Sequence, residues 1–266
     1  MTRGRLRALF FKELLDVARN RGALLPVGLI ALVSLVLPFV IAVLIPAMTG
    51  QRLGDDRDLV KVSLATGTPL GLTADALVQY FLFQQFLMVF LLIPITGAMA
   101  LAAHAIIGEK QARTLEPLLA TPLTTTELLM AKILGALAPT LAISAAGVLV
   151  YFAGIALLAE PGVLRAMMTL RTWLLLVFIG PAAALVSLQA ALVISSRVND
   201  ARTAQQFGVL IIIPLTAVLV AQFTGALWLS ATMLALAGVS LLAVWLVLTV
   251  ISVALFDRES ILTRWR

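Results

Sequence analysis

Long apolar runs separated by short polar connections dominate the pattern of this chain. A helix needs roughly 20 mostly apolar residues to cross a bilayer core of about 30 Å. Six runs meet that length: 24–46, 81–107, 128–158, 172–195, 207–223 and 227–256. The third and sixth are long enough to tilt or to extend beyond the bilayer. The fifth is short, and only residues 224–226 set it apart from the sixth, so a hairpin or a partly re-entrant segment around 222–230 is expected there. The pattern predicts an all-α polytopic membrane protein folded as one transmembrane domain, residues 1–266.

Three polar stretches break the apolar rhythm. Within residues 1–23, Leu6, Leu9, Phe10, Leu14 and Val17 recur at helical spacing, opposite Arg5, Lys12, Asp16 and Arg19. That pattern predicts a helix lying in the membrane interface, with its cations toward lipid headgroups; the plainer reading is a charged anchor that fixes topology. The basic region is long and no small-residue cleavage site follows a short apolar core, so no leader peptide is expected. The largest polar insertion, 47–80, carries Asp55, Asp56 and Asp58. Alternation over 60–64 predicts a short strand, and Thr73 is placed to cap the helix that follows, with Asp75 in its first turn. A solvated acidic loop is the expected role of the aspartates, ahead of a cation site.

The third stretch, 108–127, separates the second and third spans. Residues 108–122 read G-E-K-Q-A-R-T-L-E-P-L-L-A-T-P. Gly108 is expected to end the second span and Pro122 to stop a short helix. Glu109 and Arg113 lie four apart and can pair along one face. Leu115, Leu118 and Leu119 offer an apolar surface, and Thr114, Glu116 and Thr121 add hydrogen-bonding groups. Pro117 predicts a break near Glu116, since proline is tolerated only in a first turn.

Composition supports the membrane reading. The chain is 62% hydrophobic and 12% charged, against roughly half and a quarter in soluble domains. There is no cysteine and one histidine, His104, which excludes thiolate chemistry and multi-histidine metal sites. Fourteen of the 19 lysines and arginines fall on the side that holds both termini and 108–127, so that side is expected to be cytoplasmic. The net charge of +6 then points to anionic lipid rather than nucleic acid. No acid or base sits mid-span, which weakens an ion-coupled carrier or an intramembrane enzyme. Inside the spans stand Pro94, Pro139, Pro181 and Pro214, each able to kink its helix, and the uncharged polar residues Gln84, Gln85, Gln189 and Gln222.

No phosphate-binding G-x-x-x-x-G-K-[ST] motif is present. Work done by this chain must therefore be supplied by another polypeptide. At this point the residues resemble a known family. Glu109, Lys110, Thr114, Leu115, Glu116, Leu118, Leu119, Thr121 and Pro122, followed by Glu127 and Lys132, are similar to the cytoplasmic motif of ABC-type-2 permeases. The opening F-K-E-L-L-D-V-A-R-N-R, which holds Lys12, Glu13 and Arg19, resembles that family's elbow helix, and F-D-R-E-S-I-L resembles its C-terminal tail.

The resemblance implies a permease subunit of an ATP-binding-cassette exporter in the cell membrane, with both termini cytoplasmic. It implies a second permease subunit, the same or a related chain, and separate nucleotide-binding ATPase subunits that carry ATP and Mg; no cofactor is expected on this chain. It implies that 108–127 is a coupling helix, with Glu109, Lys110, Arg113, Thr114, Leu115, Glu116, Leu118, Leu119 and Pro122 docking the ATPase. The alternatives are a lipid-modifying enzyme using Glu109 and Glu116 as acid and base, and a gradient-driven carrier acting alone.

Overall fold

Prolines and polar caps set the boundaries of the helices. The structure, a computed structural model, describes residues 11, 12, 15, 21–65, 71–111, 125–198, 203, 206 and 209–255. Helix α1 (Arg21–Phe39) passes through a π-helical turn, Val40–Leu44, into α2 (Ile45–Thr49). Gly50 closes α2 with φ near +68°, a left-handed conformation that glycine adopts without strain. Pro46 has no N–H for the Ala42 carbonyl one turn back. Gln79 Nε2 takes that carbonyl at 3.1 Å, and Gln79 Oε1 accepts the Glu160 N–H at 2.8 Å. One buried amide thereby joins three parts of the chain at a site where a proline has removed a backbone donor.

Residues 60–64, expected as a strand, belong instead to helix α3 (Arg57–Ala65). The reason lies just upstream. Asp56 Oδ1 accepts from the N–H groups of Asp58 (2.9 Å) and Leu59 (3.1 Å), a side-chain N-cap that commits the segment to a helix. Asp58 then pairs with Lys61 at 3.7 Å on the exposed face. Leu59, Val60 and Val62 pack on the core while Leu64 is exposed, a helical rather than a two-residue period. No strand occurs among the described residues.

Helix α4 (Ala74–Phe90) begins where Thr73 was expected to cap it: its Oγ1 accepts from Ala76 N at 3.3 Å. Asp75 sits in the first turn and also accepts the Gly54 N–H at 2.8 Å, fastening the short 3₁₀ turn Leu53–Asp55 to the helix. A break at Leu91, just before Pro94, leads into α5 (Leu92–Gln111). Helix α6 (Thr125–Leu158) is continuous through Pro139. Two short helices, α7 (Val163–Met167) and α8 (Leu170–Trp173), lead through a second π-helical turn, Leu174–Ile179, into α9 (Gly180–Arg197). Pro181 follows that π turn closely, as Pro46 follows the first, so both over-wide turns accompany a missing proline donor. Helices α10 (Val209–Phe223) and α11 (Ala231–Leu255) complete the bundle.

Five helical segments among the described residues are long and apolar enough to cross a membrane: Leu24–Thr49, Ala74–Ala105, Met130–Leu158, Leu170–Ser195 and Ala231–Val253. The remaining expected crossing is shorter, with its apolar helix described over Ile213–Phe223. Among the described residues, five crossings therefore stand with full length, and the fifth expected run, 207–223, is described as helix from Val209 to Phe223. Thr224–Ser230 forms a turn without helix. Gly225, at φ near +71°, donates to Gln222 O, and Leu227 N returns to Ala221 O, both at 3.0 Å. Ser230 caps α11 by accepting from Met233 N at 3.2 Å. The connection is thus a tight turn, and α10 packs on α4.

The Ala74–Ala105 segment is the most buried of the five. Helix α5 packs most extensively against α9, then against α6 and α1; α9 packs in turn on α11. Close approach depends on small residues: a Cβ on Gly97 would meet Thr140 Cγ2 at 2.6 Å, and one on Gly238 would strike the Phe178 ring. The Leu24–Thr49, Met130–Leu158 and Ala231–Val253 segments are mostly exposed. In a bilayer such apolar faces meet lipid or other membrane helices.

Candidate functional site

The helices α5 and α6 flank the segment singled out in the sequence, and the structure places its two ends. Glu109 and Lys110 lie in the last turn of α5, which runs on through Gly108 to Gln111. Gly108 was expected to end the second span, but its backbone stays helical. Arg113, Thr114, Leu115, Glu116, Leu118, Leu119 and Pro122 lie outside the described residues, as do Glu13 and Arg19 of the first segment. Lys12 is helical and exposed, with Phe11 and Leu15 beside it in sequence also exposed.

The base of the segment is well defined. Ala98, Leu101 and Ala102 of α5 pack with Ile133 and Ala136 of α6 and with Ala184, Leu188, Ala191 and Leu192 of α9. Alanines dominate, so the three helices come close together and their interface is filled by short, rotamer-poor side chains. Into this junction Lys132 sends its ammonium group. The residue is 2% exposed, and its Nζ donates to the Ala105 carbonyl at 3.0 Å. A charged donor on a buried carbonyl is among the stronger hydrogen bonds, worth about 1.5–3 kcal/mol. The bond ties the incoming strut of the segment, α5, to the outgoing strut, α6. Lys132 entered the sequence reading only as part of a motif; its partner 27 positions away was not visible there.

The opposite, distal end of the bundle has a different chemistry. Tyr151 lies under Phe39, Phe83 and Phe90, with its ring centroid 4.8 Å from that of Phe90, and its hydroxyl donates to Phe83 O at 2.8 Å. Thr172 donates to Gln84 Oε1 at 3.2 Å, and Gln85 Nε2 donates to Gln222 O at 3.3 Å. No group of acidic, histidine or cysteine side chains among the described residues is arranged to hold a metal ion. The loop aspartates act in structure: Asp56 as a cap, Asp58 with Lys61, and Asp75 on Gly54.

The architecture is that of a helical membrane domain in which α5 and α6, packed on each other and on α9, flank the 112–124 segment. Residues 63–249 match the model of the ABC-2 family transporter proteins. The chain belongs to the ABC-2 transporter family. No curated protein matches it in direct sequence comparison. The match to the ABC-2 family takes in the described spans from α4 to α10, most of α11, and the whole of the 112–124 segment. It identifies a transport permease. The clamp from Lys132 to Ala105 therefore lies at the base of the segment where the permease's sequence motif is concentrated.

Proposed function

We propose that this permease is the membrane subunit of an ATP-driven exporter. In this reading the 108–127 segment is its coupling element and faces the cytoplasm with both termini. Nucleotide-binding ATPase subunits carrying ATP and Mg dock on it, and a second permease subunit completes the pathway. Glu109, Lys110, Arg113, Thr114, Glu116 and the leucines Leu115, Leu118 and Leu119 make the docking surface, bounded by Pro122. Lys12, Glu13 and Arg19 hold the first segment at the lipid interface.

The observation that carries this reading is the buried Lys132–Ala105 bond at 3.0 Å. A segment that receives a push must have a stiff base, or the displacement is lost in its own hinge. Here both struts are bonded to each other and packed through alanine against α9. The charge distribution supports the orientation, since the flanks of this segment share a side with most of the cations.

The test is a co-purification and coupling assay on the intact transporter. Glu116→Lys is expected to weaken assembly with the ATPase subunit or to leave ATP hydrolysis running without transport. Wild-type assembly, hydrolysis and transport in that variant would remove the docking role from the segment.

A further inference from the structure

We infer that the distal half of the bundle carries a subsite for the anionic, phosphate-type headgroup of an amphiphile, built around Arg171. This deepens the transport reading by naming a ligand class, and rests on that reading only for the ligand's role as cargo. The binding itself does not.

Arg171 stands in α8 at the distal start of the Leu170–Ser195 segment. Its guanidinium carbon lies 3.5 Å from the centroid of the Trp228 ring. That stacking fixes the plane of the guanidinium and leaves its edge donors to point past the ring. One of them, Nη1, is buried with no hydrogen-bond partner. Tyr80 is within electrostatic reach of the cation, but among the described residues no carboxylate pairs with it. Three acids of the same face are committed elsewhere: Asp56 caps α3, Asp58 faces Lys61 and Asp75 holds Gly54; Asp55 and Glu160 are exposed. A part-buried cation without a counter-ion at a membrane face is costly. An anion that accepts from Nη1 would remove that cost, and planar paired donors suit phosphate.

The neighbouring amides define what else the ligand must carry. Gln84 is held by Thr172, the residue after Arg171. Adjacent Gln85 is fully buried and bonds the backbone of Gln222, leaving its own Oε1 without a donor. Gln222 is also fully buried, and neither its Nε2 nor its Oε1 has a partner. Buried side-chain amides normally find partners. Here two unfilled acceptors and one unfilled amide donor lie in the same half of the bundle as an unfilled cationic donor. A headgroup that combines an anion with hydroxyl or ammonium groups matches this chemistry better than a bare inorganic anion. The surface beside Arg171 is apolar and open, with Met168, Leu170 and Trp173 all exposed. That rim suits acyl chains, which is why the headgroup is assigned to an amphiphile rather than to a soluble ester.

The experiment uses the full-length chain in phosphatidylcholine nanodiscs with Trp173, Trp245 and Trp265 changed to Phe, so that Trp228 alone reports. Short-chain phosphatidylglycerol is titrated, with glycerol phosphate as the soluble counterpart. A saturable change in Trp228 emission is expected with the lipid. Arg171→Gln should raise the half-saturating concentration roughly tenfold or more, Arg171→Lys less, and Arg165→Gln, at an exposed position of α7, not at all. Equal saturation of the single-tryptophan protein with and without Arg171→Gln, or no saturation of the single-tryptophan protein, would overturn the site. Saturation by glycerol phosphate at the same concentration as the lipid would overturn the amphiphile assignment. None of these results requires the ATPase partner, so a failure here leaves the coupling assay of the previous section intact, and the reverse also holds.

Discussion

The two ends of the bundle solve opposite problems. At the end that carries the 112–124 segment, short alanine side chains pack three helices together, and the single buried cation described there, Lys132, is spent on a backbone carbonyl. At the distal end, large aromatics fill the core around Tyr151, while Arg171, Gln85 and Gln222 keep buried polar atoms without partners. Gln189, next to Leu188 in the alanine-packed junction, also keeps both amide atoms without partners, so the ends differ in their packing and in how each cation is held: Lys132 on a carbonyl, Arg171 over a ring. A transport subunit that must pass on a displacement at one end and meet a ligand at the other has reason to be built this way.

The contrast breaks first if helix approach is prevented. Gly97→Val places branched carbons where even a Cβ would lie 2.6 Å from Thr140 and 3.3 Å from Val27. Overpacking of this kind costs about 3 kcal/mol or more, and thermal unfolding in detergent should show a large loss or no folded protein. Next comes the distal amide bridge. Gln79→Leu leaves the Ala42 carbonyl and the Glu160 N–H without their partner, for a loss of about 2–3 kcal/mol. Adding Pro46→Ala to that variant returns a backbone N–H to α2 and should recover part of the loss; no recovery would show that Pro46 is not the reason for the bridge. Lys132→Met leaves the Ala105 carbonyl without its charged donor and should cost stability comparably to the Gln79 change, about 1.5–3 kcal/mol. Its effect should appear in function as well: ATP hydrolysis that no longer drives transport, measured in proteoliposomes. Tyr151→Phe removes one hydroxyl bond to Phe83 O while keeping the aromatic packing, and should cost about 1 kcal/mol.

Much of this fold was legible in the chain because bilayer crossing is governed by length and hydropathy, which are local properties. The cap at Thr73 was legible for the same reason. The strand expected at 60–64 failed because alternating Val60, Val62 and Leu64 fit a two-residue period, while the deciding feature was the Asp56 cap upstream. Kinks were expected at four prolines. Pro94 and Pro181 do adjoin irregular turns, whereas Pro139 and Pro214 sit within continuous helices. A missing donor disturbs a helix only where its neighbours let the freed carbonyl turn elsewhere. The pairings that define the two ends were not legible at all. Gln79 meets Ala42 and Glu160, Lys132 meets Ala105, and Arg171 meets Trp228 across 27 to 81 positions of chain. No periodicity reports contacts of that kind. The 108–122 motif was legible as a motif, and the structure adds the clamp at its base.

The most direct test of the account exploits the absence of native cysteine. Single cysteines introduced as Glu116→Cys in the segment and Asp58→Cys on the distal face, in the intact complex, are treated with a short bifunctional thiol reagent. The account predicts a cross-link from position 116 to the nucleotide-binding subunit and none from position 58. A cross-link from 58 with none from 116 would place the ATPase at the wrong end of the molecule and contradict it.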